Sequence, residues 1–421
     1  MFSTTNNNKF IRYDFRVVIK FIIIVFCLIL CSSFILINKK SCPSTKRQDC
    51  FFLSSNEESL QKELEDNINK QLGDLDFSQL DKLLTNLDTN SKEYIKSSSF
   101  IEIVKSFINA ENTSLFSNFF SYALSIIFQN VLGYLPYFAI IVALAILYSL
   151  IGNLSNNNSK SISSLIHIVC FCSIALTILK IIFSLMNEVS ATITFIEKQM
   201  EVIFPIILTL ITSIGSVVTA TSFQPVLAVL SVAITKLFTT VLIPIFIFSV
   251  VFNVVGNISN NVRMDKFSKF FSSMFNYIVG IVFTVFIAFL AIHGLTTSSI
   301  DAISLKTAKF AIKSYVPILG SYLSDGVGLI LSSSILIKNA VGATGLVVLG
   351  LSILVPIIKV GIVILLLKLI SAIVETLCDQ KISNFLFGLS KSLNMLNISL
   401  LAVGFMYLIS LSMLMCCSNI F

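Results

Sequence analysis

Residues Ser314–Gly328 read "SYVPILGSYLSDGVG": a proline, then glycines, serines and one aspartate, in a chain that is otherwise mostly apolar. Gly320, Ser321, Ser324, Asp325, Gly326, Gly328 and Ser332 to Ser334 make Pro317 to Ile337 too polar for a lipid-facing span. Broken backbone at membrane depth survives only when buried in protein or lining water. A broken or re-entrant hairpin is therefore expected here, with Pro317, Gly320, Asp325 and Gly326 as pore or interface candidates. A matching hairpin is expected from Pro205 through "TSFQP" (Thr221 to Pro225).

The surroundings set that depth. The 421 residues are 55% hydrophobic and 12% charged, with mean hydropathy +0.91; soluble domains carry roughly 25% charge. Uncharged runs near the ~18 residues of a spanning helix recur from Phe119 onward. They are continuous rather than alternating, which excludes a strand barrel. We read apolar spans at about Leu132–Ile151, Leu165–Met186, Val202–Val218, Pro225–Val255, Phe275–His293, Ala340–Ile370 and Leu393–Met415. The fold class is all-α, a polytopic helical membrane protein.

Arg12, Arg16 and Lys20 precede the uncharged run Phe21–Ile37, and Lys39 and Lys40 follow it. Residues 1–37 are thus an export signal or a signal anchor with its positive flank in the cytoplasm; no small-x-small cleavage site chooses between them. Residues 38–114 are then extracytoplasmic. Ser55 and Glu58 fit a capping box ahead of Leu60, Leu64 and Ile68. A second helix starts near Ser78 and Asp81 with Leu80, Leu83, Leu84 and Leu87 on one stripe, and a third carries Ile101, Val104, Phe107 and Ile108. They form a small docking domain or a spacer that folds against a partner. Cys42 and Cys50 are an exposed pair that an oxidising compartment would let close.

Residues 115–421 hold an internal repeat, about 152–255 and 256–370, and a final span at 393–415. "GNLSNN" at Gly152 recurs as "GNISNN" at Gly256, 104 residues on; Pro205 and Pro244 recur as Pro317 and Pro356, both 112 residues on. Repeats of this kind place pores or binding sites between copies. If both hairpins return to their starting side the copies are parallel; if the first arm crosses, they are inverted.

Lys306, Lys309 and Lys313 lie on one side of a helix read as flat on the membrane surface. The 112-residue offset sets Glu197 and Glu201 against Lys309 and Lys313 as an inter-repeat pairing, the alternative being that each helix faces headgroups or a partner. Lys180 and Lys368 lie near span ends and can snorkel; Lys236 and Lys359 are candidates for a polar interior.

Catalytic and nucleotide motifs are absent. There is no GxxxxGK[ST] or HExxH, and two histidines, His167 and His293, lie far apart, so a zinc site or triad is not expected. The +7 formal charge forms no basic tract for nucleic acid, and no cofactor is expected.

The run Lys306–Leu346, "KTAKFAIKSYVPILGSYLSDGVGLILSSSILIKNAVGATGL", resembles the signature region of the stage III sporulation protein AE family, above all in "KFAIKSYVPILGSYLSD" and in "IKNAVG", which contains Lys338 and Asn339. The resemblance implies a non-enzymatic membrane component of the channel joining mother cell and forespore. It also implies partners: other stage III channel proteins, a cytoplasmic ATPase and ring-forming proteins between the membranes. An autonomous secondary transporter is the alternative, and a membrane enzyme comes third.

Overall fold

The computed structural model describes residues 54–85, 99–109, 119–154, 160–258, 265–315, 320–377 and 380–416; for 54–61, 119–120, 151–154, 160–167, 258, 265, 294–306, 308–315, 320–327, 329, 377 and 381 the backbone alone is described. The signal, Cys42 and Cys50, Leu87 and Pro317 lie outside the described residues. All described elements are helices: α1 Ser54–Gly73, α2 Ser78–Thr85, α3 Phe100–Ile108, α4 Phe119–Leu154, α5 Lys160–Ser213, α6 Val217–Leu237, α7 Ile243–Ile258, α8 Asp265–Tyr315, α9 Gly320–Leu377 and α10 Gln380–Cys416. A π-helical turn, Phe238–Leu242, joins α6 to α7. The chain divides into units Met1–Glu63 and Leu64–Phe421, and every helix from α2 onward lies in the second.

Among the described residues six stretches are long and apolar enough to cross a membrane: Ser121–Leu150, Ile168–Ser213, Val217–Asn257, Lys266–His293, Ile330–Thr376 and Ile382–Cys416. The sequence reading had seven. Its spans at 165–186 and 202–218 are one helix, because the link between them keeps helical register and buries Val189, Ile193, Ile196 and Met200. At 1.5 Å per residue, α5 and α9 are about 80 and 87 Å long, against a ~30 Å hydrocarbon layer.

The last helix is the axis of the bundle. α10 packs on α9, α5, α7 and α8; 61% of its membrane window is buried, against 17% for the outlying α4. Residue pairs fix directions. Glu188 meets Lys359 and Gln199 meets Gly345, so α5 and α9 are antiparallel. Lys338 meets Met415 and Ser371 meets Ser383, so α9 and α10 are antiparallel. Ring contacts Phe248–Phe271 and Phe252–Phe267 set α7 against α8, and Ser249–Ser392 with Asn253–Phe385 sets α7 against α10. Hence α5, α8 and α10 run one way, and α7 and α9 the other.

The first hairpin, expected from Pro205 through Pro225, has its turn within that range. Pro205 and Pro225 both lie inside helices, and the chain reverses between them at Ile214–Ser216. Gly215 has φ 92°, its N–H donates to Thr212 O at 2.9 Å, and Ser216 N–H donates to Ile211 O at 3.2 Å. This is a Schellman ending, for which glycine supplies the left-handed residue.

Of the second hairpin, expected over Pro317–Ile337, the described part from Gly320 onward is continuous helix, and Pro317 lies outside the described residues. α9 is helical from Gly320 through Asp325, Gly326 and Ser334 into its apolar length. Glycine weakens a helix interior by about 1 kcal/mol, but packing outweighs it further along: Ser333, Ser334, Ile337 and Lys338 are buried. The flat surface helix is likewise the end of α8, since no proline interrupts Asp265–Tyr315.

Helix starts in the two long pairs differ by 105 (265 − 160) and 103 (320 − 217), near the Gly-Asn offset of 104 rather than the proline offset of 112. Of the second proline pair, Pro356 is inside a helix whereas Pro244 follows the π turn; the partner of Pro205, Pro317, lies outside the described residues. Without an N–H and with a ring that crowds the preceding turn, Pro244 disturbs the i to i−4 ladder, and the wider turn absorbs it.

The short helices are docked on the bundle, α3 on α9 and α2 on α5. Gln71 Nε2 donates to Ser333 Oγ at 3.1 Å, and Ser334 Oγ donates to Gln71 Oε1 at 3.0 Å. Much of the polarity of the serine run thus serves an interhelical contact. Asp76 Oδ1 accepts from Ser78 N–H at 2.9 Å, and the Ser78 hydroxyl and amide hold its carboxyl below the usual range. Asp81 instead caps α3: its Oδ1 accepts from Phe100 N–H at 2.7 Å and from Ser99 Oγ at 3.4 Å. Asp81→Ala should weaken α3 by about 1 kcal/mol, speeding opening about fivefold. Hydrogen exchange at Phe100–Val104 checks this; unchanged protection would remove the capping role.

Candidate functional site

The candidates fall along a polar seam in the bundle. Lys359 projects from α9, and its Nζ lies 2.7 Å from Glu188 Oε1 of α5, with side-chain exposures of 26% and 32%. Tyr134 of α4 is within electrostatic reach of Glu188. The sequence reading chose Lys359 but missed Glu188, which lies 171 positions away. Only the antiparallel pairing of α5 and α9 joins them.

Lys236 is exposed on α6, with Glu197 of α5 close enough to interact with it and with Thr235. Among the described residues the cations beside Glu197 are therefore Lys236 and the neighbouring Lys198. The side chains of Lys309 and Lys313 lie outside the described residues, and so does their expected pairing with Glu197 and Glu201. Gly320, Asp325 and Gly326 are backbone positions in the first turns of α9.

Lys338 is fully buried, and its Nζ donates to Met415 O at 2.7 Å in the last turn of α10. Terminal helix carbonyls lack internal donors and carry the negative end of the helix dipole, so a buried ammonium finds a partner there. Gly342, one turn on, packs against the Met415 side chain. The segment "IKNAVG" is thereby a clasp between α9 and α10. Asn339 is half-buried with its Oδ1 shielded from solvent and without a hydrogen bond.

Other buried polar residues had no sequence signal, because a glutamine or serine in an apolar run does not reveal its direction. Gln199 is completely buried and donates to Gly345 O at 3.1 Å. A Cβ on Gly345 would meet Ile203 at 3.0 Å and the Tyr407 hydroxyl at 3.4 Å, so this approach needs glycine. Ser249 bonds Ser392 at 3.0 Å, Ser371 and Ser383 exchange hydrogen bonds, and Asn257 donates to Asn253. Where lipid offers no hydrophobic drive, such contacts and small residues fix helix register.

His293 packs against Phe223 and Phe289, and the His167 side chain lies outside the described residues. Among the described residues no three His, Cys, Asp or Glu side chains converge. The arrangement can hold charge and fix helices; it brings no nucleophile and base together among the groups above.

Lys359→Met should cost about 1–3 kcal/mol by leaving Glu188 without its partner, and Glu188→Gln added to it should recover part of the loss. Thermal unfolding in detergent separates this from independent, additive effects. Gly388→Ala would drive a methyl into the hydrogen-bonded Asn253 carboxamide, whereas at Gly342 the obstacle is the flexible tip of Met415. The first should cost about 1–3 kcal/mol and the second less; the reverse order in the same assay would refute the packing account.

The family described as Stage III sporulation protein AE matches residues 98–418. Stage III sporulation protein AE of Bacillus subtilis (strain 168) is 23% identical over 315 residues, covering 75% of this chain and 79% of that protein. No solved structure matches. With this match extending from α3 through α10, the chain belongs to the stage III sporulation protein AE family and is a multi-pass membrane protein of sporulation.

Proposed function

We propose that this protein is a membrane-embedded component of a sporulation-specific channel or secretion-like complex connecting mother cell and forespore during endospore formation. Its partners are other stage III channel proteins, a cytoplasmic ATPase and ring proteins of the intermembrane space. Its place is the mother-cell membrane around the forespore. The observation that carries the reading is the family match over residues 98–418. Two structural features support it: polar side chains of the seam join helix to helix, and Gln71 bonds α9 while α2 and α3 pack on α5 and α9.

The second reading, an autonomous secondary transporter, is favoured by the Glu188–Lys359 pair within the long helices, because ionisable groups there often mark substrate or proton paths. Gentle detergent pull-down of the tagged protein from sporulating cells separates the two. Recovery of the ATPase and the ring proteins is expected. Recovery of this chain alone, together with solute flux when it is reconstituted by itself, would replace the complex with the transporter.

A further inference from the structure

One face of α5 is unlike the other outer surfaces of the bundle. From Ser184 onward its exposed positions include Asn187, Ala191, Lys198, Glu201 and Thr209, with no exposed large apolar side chain among its described residues as far as Ser213. Earlier on the same helix the exposed residues are Ile168, Val169, Leu176 and Phe183.

Ring contacts show the height at which the polar stripe runs. Phe204 of α5 lies 5.6 Å from Tyr407, and Phe283 of α8 lies 6.4 Å from Phe405. Phe405 and Tyr407 are two residues apart on α10, about 3 Å along its axis. Because α5 and α8 are parallel, Lys198, Glu201 and Thr209 are level with the α8 stretch that exposes Tyr277, Ile281, Val285 and Ile292. At one depth the bundle is therefore apolar on its α8 side and charged on its α5 side.

The hydroxyls alone would not require water. Thr209 Oγ1 donates to Pro205 O and Thr212 Oγ1 to Leu208 O, both at 2.9 Å, which masks them within the helix. Lys198 and Glu201 have no such recourse in hydrocarbon, where a charge is costly. A second observation concerns space. The stripe opens into a cleft of about 330 Å³ between α5 and α6, lined by Pro205, Thr209, Thr212, Thr221 and Gln224. That volume is ample for several waters with polar partners.

We propose that the exposed stripe of α5 is a water-facing wall at membrane depth, the side from which a hydrated path is built. This deepens the channel reading and rests on it for what the path serves, whereas the wetness of the wall follows from the charges and their depth.

Substituted-cysteine labelling of the full-length protein in membranes of sporulating cells tests it, using a membrane-impermeant maleimide. Ala191→Cys and Thr209→Cys probe the stripe, Leu176→Cys and Val285→Cys probe the apolar sides, and the unsubstituted chain with its nine cysteines gives the background. Maleimide reacts with the thiolate, which hydrocarbon disfavours, so the stripe should label at least about tenfold faster, the equivalent of one unit in thiol pKa. Equal or slower labelling at both stripe positions overturns the wall. Protection in membranes that disappears on detergent extraction also overturns it, showing a face covered by a partner. If a variant fails to reach the membrane, Thr212→Cys replaces it with the same two outcomes. A labelled stripe with no partners recovered would leave the wall and remove the complex; partners recovered with an unlabelled stripe would do the opposite.

Discussion

Hydrocarbon offers no hydrogen bonds, and that constraint governs every element in this structure. Each backbone amide at depth must be satisfied by its own helix, so the chain answers with continuous helices of 51, 54 and 58 residues. The same scarcity acts on side chains. A carboxamide, hydroxyl or ammonium in the interior has to find a carbonyl, another hydroxyl or an ion on a neighbouring helix. Gln199, Lys338, Ser249 and Ser371 each do so. Their pairings decide which helix lies beside which.

Hydropathy and helical periodicity were enough to read an all-helical membrane protein, because apolar run length is a direct demand of the bilayer. The short helices were legible for a similar reason, with Leu80, Leu83 and Leu84 buried as their stripe required. The breaks were not. The hairpin range from Pro205 through Pro225 contains the turn without locating it, since Pro205 and Pro225 themselves are accommodated inside helices, as is Pro356. The described reversal falls at Gly215, in a glycine ending that composition alone does not distinguish from a helix-interior glycine.

The polar stretch from Gly320 to Ser334 teaches the same lesson from the other side. Read along the chain, it suggested a break. In the fold it is the opening of α9, and part of its polarity faces Gln71 at a separation of more than 260 residues. Lys236 and Lys359 were identifiable as charges in apolar surroundings, but Glu197 beside one and Glu188 beside the other depend on helix pairing. Single-sequence reading finds groups that need a partner; tertiary contacts name the partner.

The central position of α10 has a consequence for how the molecule is made. Ribosomes deliver this helix after the other described helices, yet it is the helix around which they pack. Until it arrives, Lys338 lacks the Met415 carbonyl, and Ser249 lacks the Ser392 hydroxyl. Biogenesis must therefore pass through an inserted but open intermediate in which these interhelical hydrogen bonds are not yet made. Closure of the bundle therefore waits on the insertion of α10, and the earlier helices pass through a state in which their packing is incomplete.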